Sequence, residues 1–137
     1  MDVNFAFLCD YAEAAGKITA VGVGFDTIHA RSVPTTHPLF YAVIQLRFST
    51  VELGEKRFGV RVIDADGHDI VPPLDGSINV TPPPGGYTYK THNIALALHG
   101  VRFPSFGDYS VRWLVEGNEV KSVPLKIVEQ PAPPTTG

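Results

Sequence analysis

Apolar and polar positions alternate with a period of two through most of this chain. Between Ser105 and Glu129, Tyr109, Val111, Trp113 and Val115 alternate with Ser110, Arg112, Leu114 and Glu116; beyond a Gly-Asn step, Val123, Leu125 and Ile127 alternate with Ser122, Pro124, Lys126 and Val128. That spacing sends successive side chains to opposite faces of a strand, so the stretch predicts a β-hairpin with one buried face. From Leu39 to Ser49 the apolar set is Phe40, Ala42, Ile44, Leu46 and Phe48, opposed by Tyr41, Val43, Gln45, Arg47 and Ser49. Phe58, Val60 and Val62 repeat the pattern and lead into Asp64-Ala-Asp-Gly67, a tight-turn sequence with His68 to Val71 as the returning arm. Tyr87 to His99 sets Ile94, Leu96 and Leu98 against Asn93, Ala95, Ala97 and His99.

Elsewhere the pattern is interrupted. Val3 to Cys9 predicts an opening strand with Val3, Phe5, Phe7 and Cys9 on one side and Asn4, Ala6 and Leu8 on the other. Asp10 to Gly16 fits either one helical turn capped by Asp10 or a plain loop. Lys17 to Ala30 is extended but holds Gly22 and Gly24, which mark an irregular or edge strand. Ser32 to Pro38 reads as a loop, and the Pro- and Gly-rich run from Pro72 to Gly86 as a surface crossover with room for one short strand near Ser77 to Thr81. Residues 1–129 form one domain in this reading, and the Pro-rich residues 130–137 a mobile tail.

The count comes to about seven to nine short strands, which predicts an all-β fold, an immunoglobulin-like two-sheet antiparallel sandwich, with a partly open barrel as the alternative. Gly107-Asp-Tyr109 at the start of a strand matches the tyrosine corner of such domains. Thirteen glycines and twelve prolines in 137 residues support many short strands over long helices.

The N-terminal block adds a resemblance. Leu8 and Asp10, Gly16-Lys-Ile18, Gly22-Val-Gly-Phe-Asp26, the Asp64-to-Gly67 turn and the later Gly107-x-Tyr109 together resemble a family of small bacterial proteins catalogued as a domain of unknown function. Phe25 stands where tryptophan is usual in that family. The resemblance covers roughly Val3 to Val128 and implies a small β-sandwich; it brings no catalytic residue, cofactor or partner.

Charge and composition narrow the function classes. A net charge of −3 with scattered Lys and Arg gives no electrostatic reason for nucleic acid to bind, so nucleic acid is not expected as a partner. No apolar run approaches the roughly 20 residues that span a bilayer, so no membrane is expected. The single Cys9, with an acid at position 2 where a secretory leader carries basic residues, points to a cytoplasmic protein.

Candidate chemistry is sparse. Asp64, Asp66 and Asp69 group three carboxylates near one turn, a donor set for a hard cation such as calcium; turn geometry alone also explains them. Histidines 29, 37, 68, 92 and 99 are dispersed, assigned to surface or edge positions, and lack zinc spacing. Cys9 reads as a buried strand residue. With no nucleophile elbow, P-loop or HExxH helix, the expectation is a non-enzymatic domain without catalytic residues, metal or cofactor. Tyr87, Tyr89, Phe103 and Phe106 are the candidate contact surface, since loop aromatics offer large area at low entropic cost. They fit a protein-interaction or assembly module, binding itself or a partner; the alternative is a small-ligand or carbohydrate-binding module whose aromatics stack on a ring.

Overall fold

In the computed structural model, which describes residues 1–131, the chain forms ten strands. They are β1 (Asp2–Cys9), β2 (Tyr11–Glu13), β3 (Thr19–Val21), β4 (Thr27–Ala30), β5 (Thr35–Ser49), β6 (Gly54–Asp64), β7 (Leu74–Val80), β8 (Tyr89–Phe103), β9 (Gly107–Val115) and β10 (Asn118–Glu129). The all-β expectation holds, and among the described residues there is no helix. One sheet has three strands in the order β1-β5-β8, a second has five in the order β4-β10-β9-β6-β7, and β2 and β3 make a short ladder of their own. Every pairing is antiparallel except β4 with β10.

Side chains from both main sheets meet in one apolar cluster. β5 contributes Phe40, Ile44, Leu46 and Phe48, β9 contributes Val111 and Trp113, and β10 contributes Leu125 and Ile127. These are the positions the two-residue period selected. Trp113, the bulkiest fully buried side chain, lies beside Phe58 with ring centroids 6.3 Å apart. A smaller cluster of Cys9, Ala12 and Val43 lies on the other face of the three-stranded sheet, with Phe7, Ile18, Ala20 and Tyr41 packed around it. The tail assigned to residues 130–137 falls, from residue 132 onward, outside the described residues.

Four local expectations are corrected. The strand count rises to ten because Tyr11 to Glu13, read as helical turn or loop, pairs as β2 with β3, and because Gly22 and Gly24, both at positive φ, split Lys17 to Ala30 into two strands. In β1 the register against β5 slips between Val3 and Phe5, so Val3 joins Ala6 and Leu8 toward the main core while Phe7 and Cys9 face the smaller cluster. The bulge moves parity by one residue. The loop assigned to Ser32–Pro38 already enters β5 at Thr35. The crossover between Pro72 and Gly86 does carry its one short strand, β7, which begins at Leu74 instead of near Ser77 and pairs with β6 along its whole length. The returning arm after the Asp64 turn is reduced to a bridge between Ile63 and Asp69, flanked by bonds from Asp64 N–H to the His68 carbonyl (2.9 Å) and from Ile70 N–H to the Val62 carbonyl (3.0 Å).

β8 runs four residues past the expected His99 and changes face on the way. Ile94 and Leu98 are buried, then Val101 and Phe103, with the parity switch at Gly100, whose φ is +58°. Only glycine occupies that region without penalty, which allows a 15-residue strand to turn over without losing its register against β5.

Candidate functional site

The four aromatics singled out in the sequence do not form one surface. Tyr87 and Tyr89 are exposed near the start of β8, whereas Phe103 is fully buried, edge-on to Tyr109 with centroids 5.1 Å apart. Gly100 is the reason: the parity switch turns Phe103 inward. Phe106 lies beyond the far end of β8, about 45 Å along the strand from Tyr89 at the usual rise per residue. Its loop is fastened by Tyr109, whose hydroxyl donates to the Ser105 carbonyl (2.8 Å) and accepts from the Ser105 N–H (3.2 Å), the tyrosine-corner bond. The Tyr89 ring is covered by the Arg47 guanidinium at 5.4 Å, and Arg47 is held in turn by Asp2 at 3.1 Å. A ring face already occupied by a cation is not free to stack on a sugar.

Nor do Asp64, Asp66 and Asp69 converge as a carboxylate trio. Asp64 Oδ1 accepts the backbone N–H groups of His68 (2.9 Å) and Asp66 (3.0 Å), which hold its carboxyl below the usual range and fix the turn. Asp69 turns away and makes a two-point bond with Arg61, both contacts 2.9 Å. His68 replaces it: ligand atoms of Asp64, Asp66 and His68 lie within 4.8 Å of one another. Cys9 is buried with its thiol against the Tyr11 carbonyl (3.4 Å), and burial raises its pKa, which disfavours the nucleophilic thiolate. Of the histidines assigned to surface or edge positions, His92 does lie on the edge strand β8, while His37 is in β5, and both are half-buried. His37 lies among Phe25 and Phe40, His92 stands edge-on to Phe48, and burial lowers the pKa of both.

Two features outside the candidate set are better placed for contact. The first is the free side of β8, which ends the three-stranded sheet and pairs only with β5. No Asp, Glu, Lys or Arg occurs from Thr91 to Val101. The other sheet edges are guarded: β1 carries the bulge, β4 has four residues, and β7 lies between Pro72-Pro73 and Pro82-Pro83-Pro84. The uncharged run was visible in the sequence; that it lies on an edge was not.

The second is a groove of about 490 Å³ on the outer face of the five-stranded sheet, bordered by Arg57, Gly59, Arg61, Asp75, Ser77 and Leu114. Gly59 forms its floor, with Asp75 of β7 opposite on one side and Leu114 of β9 on the other. A Cβ at Gly59 would stand 3.2 Å from Asp75 Oδ1, so the missing side chain is what admits the carboxylate. On the inner face the relation reverses: the Phe58 ring covers Gly76, where a Cβ would come within 2.4 Å of it.

No curated protein matches the chain. Among solved structures it is similar to the Pseudomonas fluorescens alkylpurine DNA glycosylase AlkC bound to DNA containing an abasic site analog, at 12% identity and TM-score 0.48, over 90% of this chain and 30% of that one. That likeness transfers no activity, and the chain spans under a third of the glycosylase. It does correct one expectation: the similar chain is bound to DNA, so the earlier exclusion of nucleic acid as a partner, drawn from net charge, is withdrawn. Among the described residues no helix is long and apolar enough to cross a membrane. The model of a family of unknown function, DUF6941, matches residues 4–128, nearly the whole span over which the sequence resemblance was drawn, and the chain belongs to that family.

Proposed function

We propose that this chain is a non-enzymatic, immunoglobulin-like sandwich that works as an assembly module, pairing the open edge of β8 with the same edge of a second copy. The carrying observation is β8 itself, a 15-residue edge strand with no charged residue from Thr91 to Val101. An unguarded edge presents a row of backbone donors and acceptors to any extended strand. Antiparallel pairing of two identical edges makes a closed two-fold contact, the commonest form of self-association. Lys90 and Arg102 bracket the run, so registers centred away from Leu96 avoid setting them directly opposite each other. The shared core of the two main sheets and the Tyr109 corner support the sandwich reading. Commitment of Asp64 to its turn, Asp69 to Arg61 and Cys9 to a buried thiol supports the non-enzymatic one.

Light scattering across a concentration series tests the proposal. Dimer is expected for the unaltered chain and monomer for Ala97→Lys, which places charge beside the edge while circular dichroism stays that of a β protein. A concentration-independent monomer for the unaltered chain overturns it.

A further inference from the structure

We propose that the groove over Gly59 binds a small zwitterion of the α-amino acid class, with its carboxylate on Arg57, its ammonium on Asp75 and its apolar side chain against Leu114. This rests on the five-stranded sheet and is independent of pairing at β8. Along the outer face of β6 the residues run Glu55, Arg57, Gly59, Arg61, and the register places Ser77 beside Arg57 and Asp75 beside Gly59. Gly59 carries ordinary strand geometry, so its backbone does not call for glycine. In a strand with neighbours on both sides, a residue with no side chain leaves a depression and marks a place where another group approaches closely.

The charges around that depression are unequally engaged. Arg61 is held by both oxygens of Asp69, and Arg112 pairs with Glu119 at 3.2 Å. Among the described residues neither Arg57, Glu55 nor Asp75 makes an ion pair. Arg57 and Asp75 are diagonal neighbours across β6 and β7, a relation that sets residues about 7–8 Å apart and within reach of a long side chain, yet they do not pair with each other. Opposite charges that share a groove without touching suit a molecule that carries both signs. A phosphate or other polyanion is disfavoured, because one disengaged guanidinium stands against the carboxylates of Asp75 and Glu55. A plain cation would leave Arg57 unmatched. The guanidinium offers a two-point fork for a carboxylate, Asp75 Oδ1 sits over the glycine floor for an ammonium, and half-buried Leu114 supplies the apolar wall.

Calorimetric titration of the full chain with L-leucine tests the assignment against two controls, 3-methylbutylamine, which lacks the carboxylate, and 4-methylpentanoate, which lacks the ammonium. Leucine is expected to bind, each control at least about tenfold more weakly, as the loss of one hydrogen-bonded charge implies. Arg57→Gln and Asp75→Asn should each weaken leucine by a similar factor while circular dichroism is unchanged, and Ala97→Lys should leave binding intact. Absence of leucine heat at about 10 mM, well above the range of a useful small-molecule site, overturns the proposal. So does binding that both controls match, or that survives both groove variants.

Discussion

The two main sheets face a common core and differ in what they leave exposed. The three-stranded sheet has its outer face capped by the β2–β3 ladder, with Cys9, Ala12 and Val43 buried beneath it, and leaves the backbone of β8 open at its edge. The five-stranded sheet has short or proline-flanked edges and leaves its outer face bare, lined by Arg57, Arg61, Asp75 and Arg112. One sheet therefore offers main-chain hydrogen bonding, which fits another strand of almost any sequence. The other offers charged side chains around a glycine floor, which select by chemistry. The two proposed contacts, one to a second copy and one to a small zwitterion, would in this way use different sheets and different chemistry.

The largest expected effects lie where the sheets do not differ. Phe40→Ala in the three-stranded sheet and Trp113→Ala in the five-stranded one each remove a fully buried aromatic from the same cluster. Each should cost about 3–5 kcal/mol in urea unfolding followed by circular dichroism. A loss confined to one of them would show that the sheets do not share a core.

A smaller pair of changes separates the two faces of β6 and β7. Gly76→Ala drives a methyl into the Phe58 ring on the core side and should cost about 1–3 kcal/mol, as overpacking does. Gly59→Ala would set its methyl 3.2 Å from the Asp75 carboxylate and 3.3 Å from the Leu74 carbonyl, tighter than ordinary contact but relieved by a small shift of the exposed Asp75 side chain, and should cost less than Gly76→Ala, about 1 kcal/mol. Equal costs would mean that the outer face is packed as tightly as the inner one.

The mildest effect is that of acid, and it belongs to the three-stranded sheet. His37 in β5 and His92 in β8 both titrate below the ordinary histidine value of 6.5 because burial disfavours the charged ring, with Lys90 adding to the effect at His92. Below about pH 6.5 the unfolded chain takes up protons that the folded chain still refuses. Stability is therefore complete above that value and declines as pH falls through it toward the depressed folded values. His92→Leu should flatten the decline in a pH series of unfolding midpoints; an unchanged slope would place the titration elsewhere.

Reading the chain in order made some of this accessible and hid the rest. The core faces of β5, β6, β9 and β10 were legible because Phe40, Ile44, Val60, Val62, Trp113 and Leu125 fall on strict alternation in strands with one apolar side. Phe103 was misplaced, since a parity switch at Gly100 leaves no trace in composition, and Val3 was assigned to the wrong side, since the bulge in β1 is a property of its pairing with β5. Asp69 was grouped with Asp64 and Asp66 by proximity in sequence, and Arg61, eight residues earlier, claims it instead.

The amino-acid pattern by itself determined that this is an all-β chain, which side chains fill its centre, and that Asp64 to Gly67 is a turn. These follow from steric and solvation preferences that act over a few neighbouring residues. Tertiary structure alone decided which strand would lie at an open edge and which charges would face Gly59 without a counter-ion. Both depend on strand order and register, and those are settled by contacts between segments distant along the chain.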